Sequence, residues 1–152
     1  MMTDEEYMRL AIEEAKKGEE EGEVPIGAVL VSGDGTVIAA AHNMKEKLRN
    51  PVRHAEIEVL EKGAEIEDKY LYDATLYVTL EPCPMCAGAM LATRLGRLVY
   101  GASDAKLGCA GTVYNLLDEK TFNHRVETTG GVLEDECVGL LREFFRKKRK
   151  CC

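Results

Sequence analysis

The sequence has no long uncharged run. Its longest stretch without Asp, Glu, Lys or Arg is residues 82–93, twelve residues, against the ~18–20 apolar residues that a membrane-spanning helix needs. It has no apolar core near its start: residues 4–23 carry charge where a secretory signal would be apolar. The expected location is therefore the cytoplasm, away from any membrane. Internal repeats, low-complexity blocks and Pro- or Ser-rich linkers are also missing. These absences exclude a disordered tail, a collagen-like chain and a modular array, and leave one domain over residues 1–152. A chain of that length buries roughly two-thirds or more of its unfolded surface and needs no staples. Its 45% apolar and 31% charged residues are the composition of an ordinary globular domain.

The net charge is −7, unevenly spread. Residues 1–23 hold nine acids and three bases, whereas residues 142–150 hold six bases and one acid. An acidic protein repels nucleic acid at long range, but the basic end can contact phosphates locally. It equally suits the C-terminal end of a solvated helix. Six cysteines do not make a disulfide scaffold in a chain this long and apolar. Cys109 and Cys137 read as small buried residues, and Cys151 and Cys152 as exposed thiols.

Thr3 and Glu6 make a capping-box pattern, followed by Met8, Ala11, Ile12 and Ala15 at helical spacing. Gly18 or Gly22 ends that helix. Residues 26–32 read as a buried strand, 33–35 as a tight turn and 36–41 as a returning strand. A polar loop leads to a helix over 54–64, then a strand over 75–79. Residues 82–93 form a buried helix with Pro82 near its first turn, and 97–102 a fourth strand. A short helix is expected near 113–120 and a fifth strand at 125–129. The last helix, 133–149, has an apolar stripe of Cys137, Leu140, Leu141, Phe144 and Phe145, with at least one phenylalanine in the core. Strands alternating with helices predict an α/β fold with a mixed sheet.

Two segments carry chemistry, His54-Ala55-Glu56 and Pro82-Cys83-Pro84-Met85-Cys86. Each opens an expected helix, and three of the four prolines flank them. Cys83 and Cys86 lie three apart, so both sulfurs face one side of a helical turn. Helix N-termini also favour thiolate. His54 supplies a third ligand. His54 and Glu56 are about 200° apart around a helix, so they converge only on something beyond the helix end. Three N/S ligands leave a tetrahedral zinc ion an open position, which is the catalytic pattern. Glu56 is then a free carboxylate suited to proton shuttling. No second Cys-x-x-Cys exists for a zinc ribbon, and a redox dithiol would give His54 and Glu56 no role. His42 and His124 have no partner at ligand spacing and read as structural or solvent-facing.

His-x-Glu followed by Pro-Cys-x-x-Cys resembles the signature of the zinc-dependent nucleobase deaminases. The chain is similar to the cytidine deaminase-like superfamily, and within it resembles the bacterial tRNA-specific adenosine deaminases. The resemblance is carried by residues 24–29, 42–43, 54–57, 76–83, 85–89 and 100–102. Beyond the superfamily motifs it runs through 104–106, 123–125, 131–133, 136–137 and 144–146. It implies a three-layer α/β/α sandwich, with a five-stranded mixed sheet, about five helices and the two zinc-bearing helices on one face. It implies deamination of adenosine to inosine at the wobble position of the anticodon, with a tRNA anticodon stem-loop as partner. It further implies a homodimer holding one zinc ion per subunit through His54, Cys83 and Cys86. Glu56 would move protons between water, adenine N1 and the leaving ammonia. Asn43, with Ala55 beside the zinc histidine, falls at the base-binding position. Asp104, Lys106 and Asn123 match segments lining the anticodon groove. Phe144, Phe145, Arg146, Lys147 and Arg149 would frame the RNA entrance.

The chain departs from the family before His54. Asn50-Pro51-Val52-Arg53 replaces the common Asp-Pro-Thr-Ala, and residues 44–49 are unusually basic. Taken without the resemblance, Asn43 suits an Asx-turn, Asp104 a helix cap and Lys106 a solvated surface. Two other functions fit the zinc motifs, a deaminase of free bases or nucleosides (guanine or cytosine type) and a non-catalytic zinc-binding subunit.

Overall fold

The computed structural model describes residues 2–150. Its elements run α1 (Asp4–Glu20), β1 (Gly27–Val31), β2 (Val37–His42), α2 (Ala55–Ile66), β3 (Thr75–Leu80), α3 (Pro84–Ala92), β4 (Arg97–Ala102), β5 (Glu127–Thr129) and α4 (Glu134–Lys150). The strands form one sheet in the order β2-β1-β3-β4-β5. β1 is antiparallel to both β2 and β3, whereas β3, β4 and β5 run parallel. The sheet is therefore mixed, as expected.

Side-chain alternation along the strands assigns the two faces. Ala28, Leu30, Leu76, Val78, Leu98 and Tyr100 point into one apolar layer with Val59 and Leu60 of α2 and Met90 of α3. Val29, Val31, Tyr77 and Val99 point into the other, with Tyr7, Met8, Ala11 and Ile12 of α1 and Cys137 of α4. Both faces of β1 are buried, which is why its five residues read as a continuous apolar run. Full burial of each leucine is worth about 1.5–3 kcal/mol.

The start of α1 follows the capping pattern. Thr3 Oγ1 accepts the Glu6 amide and Glu6 Oε1 accepts the Thr3 amide. The helix runs through Gly18 and stops at Glu20; Gly22 then takes a φ of +85°, a region open to glycine without a Cβ clash. Asp4 in the first turn holds the opposite end of the sheet. Its carboxylate pairs with both terminal nitrogens of Arg97, at 2.9 and 2.8 Å, and accepts the Tyr77 hydroxyl at 2.8 Å. The Arg97 guanidinium holds the Asp4 carboxyl below its ordinary value. A carboxyl depressed on folding stabilises above its unfolded pKa and loses that contribution as pH falls through the folded one. Asp4→Asn is therefore expected to lower Tm at neutral pH, with the gap to wild type closing below about pH 4. Thermal melts over a pH series measure it.

Three expectations are corrected. The described residues contain four helices, because no helix forms near 113–120. That segment is a turn network in which Gly111 donates to Tyr114 O, and Val113 and Tyr114 donate to Gly108 O. The amides of Val113, Tyr114 and Leu116 bond carbonyls five to seven residues back, which closes wide turns in place of the i−4 bonds of an α-helix. β5 begins at Glu127, two residues late. Neither Phe144 nor Phe145 is in the core: Phe144 is half-buried and Phe145 is 44% exposed. Only the first half of α4 lies on the sheet, contributing Cys137, Val138 and Leu140 to the apolar layer, and the second half runs past it. Cys109 and Cys137 are buried thiols, as expected, while Cys151 and Cys152 lie outside the described residues. No helix among the described residues is long and apolar enough to cross a membrane.

Candidate active site and metal centre

The site is built where two helix N-termini meet. His54 is the N-cap residue of α2 and Cys83 that of α3, both in extended conformation, with Pro84 following Cys83 inside the first turn. The His54 side chain does not cap its own helix, and it and the Cys83 thiol, which bonds Cys86, point at a common centre. His54 Nδ1 lies 3.7 Å from Cys83 Sγ and 3.5 Å from Cys86 Sγ. All three ligand atoms fall within 4.8 Å of one another. A tetrahedral ion with bonds of roughly 2.3 Å to sulfur and roughly 2.05 Å to nitrogen has an N···S edge of about 3.6 Å. The triangle matches that edge, and its nitrogen and two sulfurs are the donor set that zinc favours. The three residues could hold one metal ion.

Glu56 is 4% exposed and stands outside the triangle. Burial pushes its carboxyl up to about 7, the range suited to a group that both takes and gives protons. The hydrogen bond from Cys86, helped by the neighbouring His54, draws the Cys83 thiol down to about 4. The bond to Cys83 and burial push the Cys86 thiol up.

Asn43 is buried at the end of β2, and its Oδ1 accepts the Ala55 amide at 2.9 Å. That bond fixes the amide's orientation and leaves its NH₂ as the outward donor. It also occupies the Ala55 N–H, and Ala55 itself is fully buried in the apolar layer, so the substrate role expected of it has no exposed group. The loop between Asn43 and His54 is pinned by Glu23, 1% exposed. This carboxylate accepts the Glu46 amide at 3.0 Å and the Lys47 amide at 2.8 Å. Arg53 turns back onto α2, bonded to Glu58 and forked onto Glu61, so it does not extend the basic surface of the loop.

The other expected site residues lie apart from this centre. Asp104 Oδ1 accepts the amides of Lys106 and Leu107, so it closes a turn; no helix follows it for the cap that its residue type suggested. Lys106 lines a shallow groove of about 590 Å³ with Phe145, Lys148 and Arg149. Arg146 pairs with Glu143 on its own helix. Asn123 lies in a second groove, with Arg94, Phe122 and His124, beside the C-terminal end of α3. His124 Nε2 bonds Leu95 O at 2.7 Å, and His42 bridges Glu14 and Glu21; both are structural, as expected. Sequence reasoning missed Glu23 and Glu81. Their one signal is an acidic residue just before a Val-Pro or a Pro-Cys step.

The MafB19-like deaminase family matches residues 2–149. A tRNA-specific adenosine deaminase of Bacillus subtilis is 54% identical over 151 residues, covering 99% of this chain and 93% of that protein. This chain belongs to the tRNA-specific adenosine deaminase family. A structure solved in work on A-to-I editing by tRNA:A34 deaminases superposes with a TM-score of 0.84 at 42% identity, over 90% of this chain and 99% of that one. A guanine deaminase from Nitrosomonas europaea shares the fold, with a TM-score of 0.78 at 24% identity over 95% of this chain and 85% of that one.

Proposed function

We propose that this deaminase converts adenosine to inosine at the wobble position of a tRNA anticodon, as a cytoplasmic zinc-dependent homodimer. The observation that carries the reading is the His54–Cys83–Cys86 triangle with a buried Glu56 beside it, in a chain 54% identical to a tRNA-specific adenosine deaminase. The residues that would hold zinc are His54, Cys83 and Cys86, one ion per subunit. Zinc, when bound, lowers the pKa of a coordinated water toward ~7 and so supplies a nucleophile for hydrolysis at neutral pH.

The residues of the chain do the rest. Glu56 Oε takes a proton from the attacking water and delivers it to adenine N1, which makes C6 electrophilic. It then transfers the second proton to the departing amine, so that adenosine and water become inosine and ammonia. The Asn43 NH₂ donates to a purine ring nitrogen and orients the base. A wobble adenosine lies in a single-stranded loop, so it enters the pocket without the cost of breaking a base pair. Lys106, Arg146 and Arg149 meet loop phosphates, with Phe145 as an apolar wall and Asp104 and Asn123 as polar contacts. Exposed Leu48, Val52, Met85 and Leu107, on segments around the centre, form the surface a second subunit would cover.

The test is zinc-loaded protein with an anticodon stem-loop bearing adenosine at the wobble position, read by mass for inosine. Inosine formation supports the reading, and no product from the stem-loop with a full zinc complement contradicts it. RNA binding should also weaken steeply with salt. Lys106→Ala is expected to flatten the slope of log K against log salt by about 0.7–0.9, measured by fluorescence anisotropy on the stem-loop.

A further inference from the structure

Glu81 is 2% exposed, two residues before a metal-ligating cysteine and outside the ligand triangle. Its carboxylate collects four donors from one loop. Oε1 accepts the Asp104 amide at 3.0 Å and the Thr112 hydroxyl, while Oε2 accepts the Ala110 amide at 2.9 Å and the Thr112 amide at 3.1 Å. The backbone on either side of the carboxylate is tied as well. The Glu81 amide donates to Ala102 O at 2.8 Å, and the Cys109 amide to Pro82 O at 2.9 Å. The loop is shaped around this group. A Cβ at Gly108 would sit 2.5 Å from both Glu81 Oε1 and Asp104 O, closer than any side chain tolerates.

We infer that Glu81 is a positioning residue for the reaction: it clasps the substrate loop, residues 104–112, to the segment that carries the metal-ligating cysteines. The inference rests on the deaminase reading above, which makes Asp104 and Lys106 RNA contacts. A buried anion with its donors satisfied holds both ends of a loop that has no regular structure of its own. The nucleotide bound by the loop is thereby kept in register with the centre that attacks its neighbour. Glu81 itself touches neither substrate nor metal.

The carboxylate's chemistry dictates the variants. Glu81→Gln keeps the shape but replaces one acceptor oxygen by an NH₂, which opposes at least one backbone amide donor whichever way the side chain turns, so the clasp is weakened. Thr112→Val removes only the hydroxyl donor, and Thr112→Ser restores it. The expected result for Glu81→Gln is a KM for the wobble-A stem-loop raised roughly tenfold, with kcat per bound zinc within about threefold of wild type. Thr112→Val follows in the same direction with a smaller effect, and Thr112→Ser stays at the wild-type value. Hydrogen exchange on the zinc-loaded protein without RNA should show faster exchange at Asp104, Ala110 and Thr112 in the first two variants, with the sheet core unchanged. A kcat loss that tracks lost zinc with KM unchanged overturns the inference, as does unchanged exchange in the loop. Thr112→Ser behaving like Thr112→Val also overturns it. The exchange readout does not depend on turnover, so it stands even if wild-type protein leaves the stem-loop unmodified, a result that would instead overturn the deaminase reading.

Discussion

Glu56→Gln is expected to lower single-turnover deamination of the stem-loop by about a thousandfold or more, in the upper range for loss of a general acid–base group. Glutamine matches glutamate in shape and fills the same buried site, so the core around α2 stays packed. Glu56 is outside the His54–Cys83–Cys86 triangle, so metal content should remain at one zinc ion per subunit. Glu56 is not among the residues of the Lys106–Phe145–Arg149 groove, where the proposed RNA contacts lie, so the affinity for the stem-loop should also stay. Turnover, zinc by atomic absorption and RNA affinity separate these three quantities. Activity within tenfold of wild type would remove Glu56 from the proton path.

Cys86→Ala is expected to abolish both zinc retention and turnover while leaving a folded protein. Loss of an outer-shell partner already costs a metal site about 10–100-fold, and Cys86 is one of the three described residues that could hold the ion. Most of the apolar layer under α2 and α3 lies away from the site, and the opposite layer does not touch it, so the sheet should survive. In the wild type, zinc stabilises the native state by RT ln(1 + [L]/Kd), about 4 kcal/mol at a thousand times Kd. Added zinc should therefore raise the wild-type Tm and leave the Tm of Cys86→Ala unchanged. Turnover by a zinc-free variant would separate the chemistry from the triangle.

The candidate centre was legible in the sequence because its residues are local to two helix starts. Helical spacing places Cys83 and Cys86 on one side, prolines mark the entries, and His54 and Glu56 fit one centre only if it lies off a helix end. The strands were legible for a related reason: each buried run or alternating pair of faces leaves a period in the chain. The turns at 104–122 were not. The amides of Asp104, Ala110 and Thr112 are satisfied by Glu81, more than twenty residues away, and no local periodicity records a bond to a distant carboxylate. The failure at Phe144 and Phe145 is of the same kind. Their spacing continues the stripe of Cys137 and Leu140, but spacing does not say where the sheet beneath a helix ends. The residues proposed to face RNA do not share one pocket: Lys106, Phe145 and Arg149 line one groove and Asn123 another, and only resemblance to known deaminases links them.

The most direct measurement is kcat/KM of the zinc-loaded protein for the wobble-A stem-loop beside free adenosine, cytidine and guanine. A companion stem-loop carries its only loop adenosine one position away from the wobble site. Inosine from the wobble-A stem-loop, with little product from the companion or the free compounds, is the predicted result. Guanine or a free nucleoside turned over at least as efficiently as the stem-loop would contradict the account.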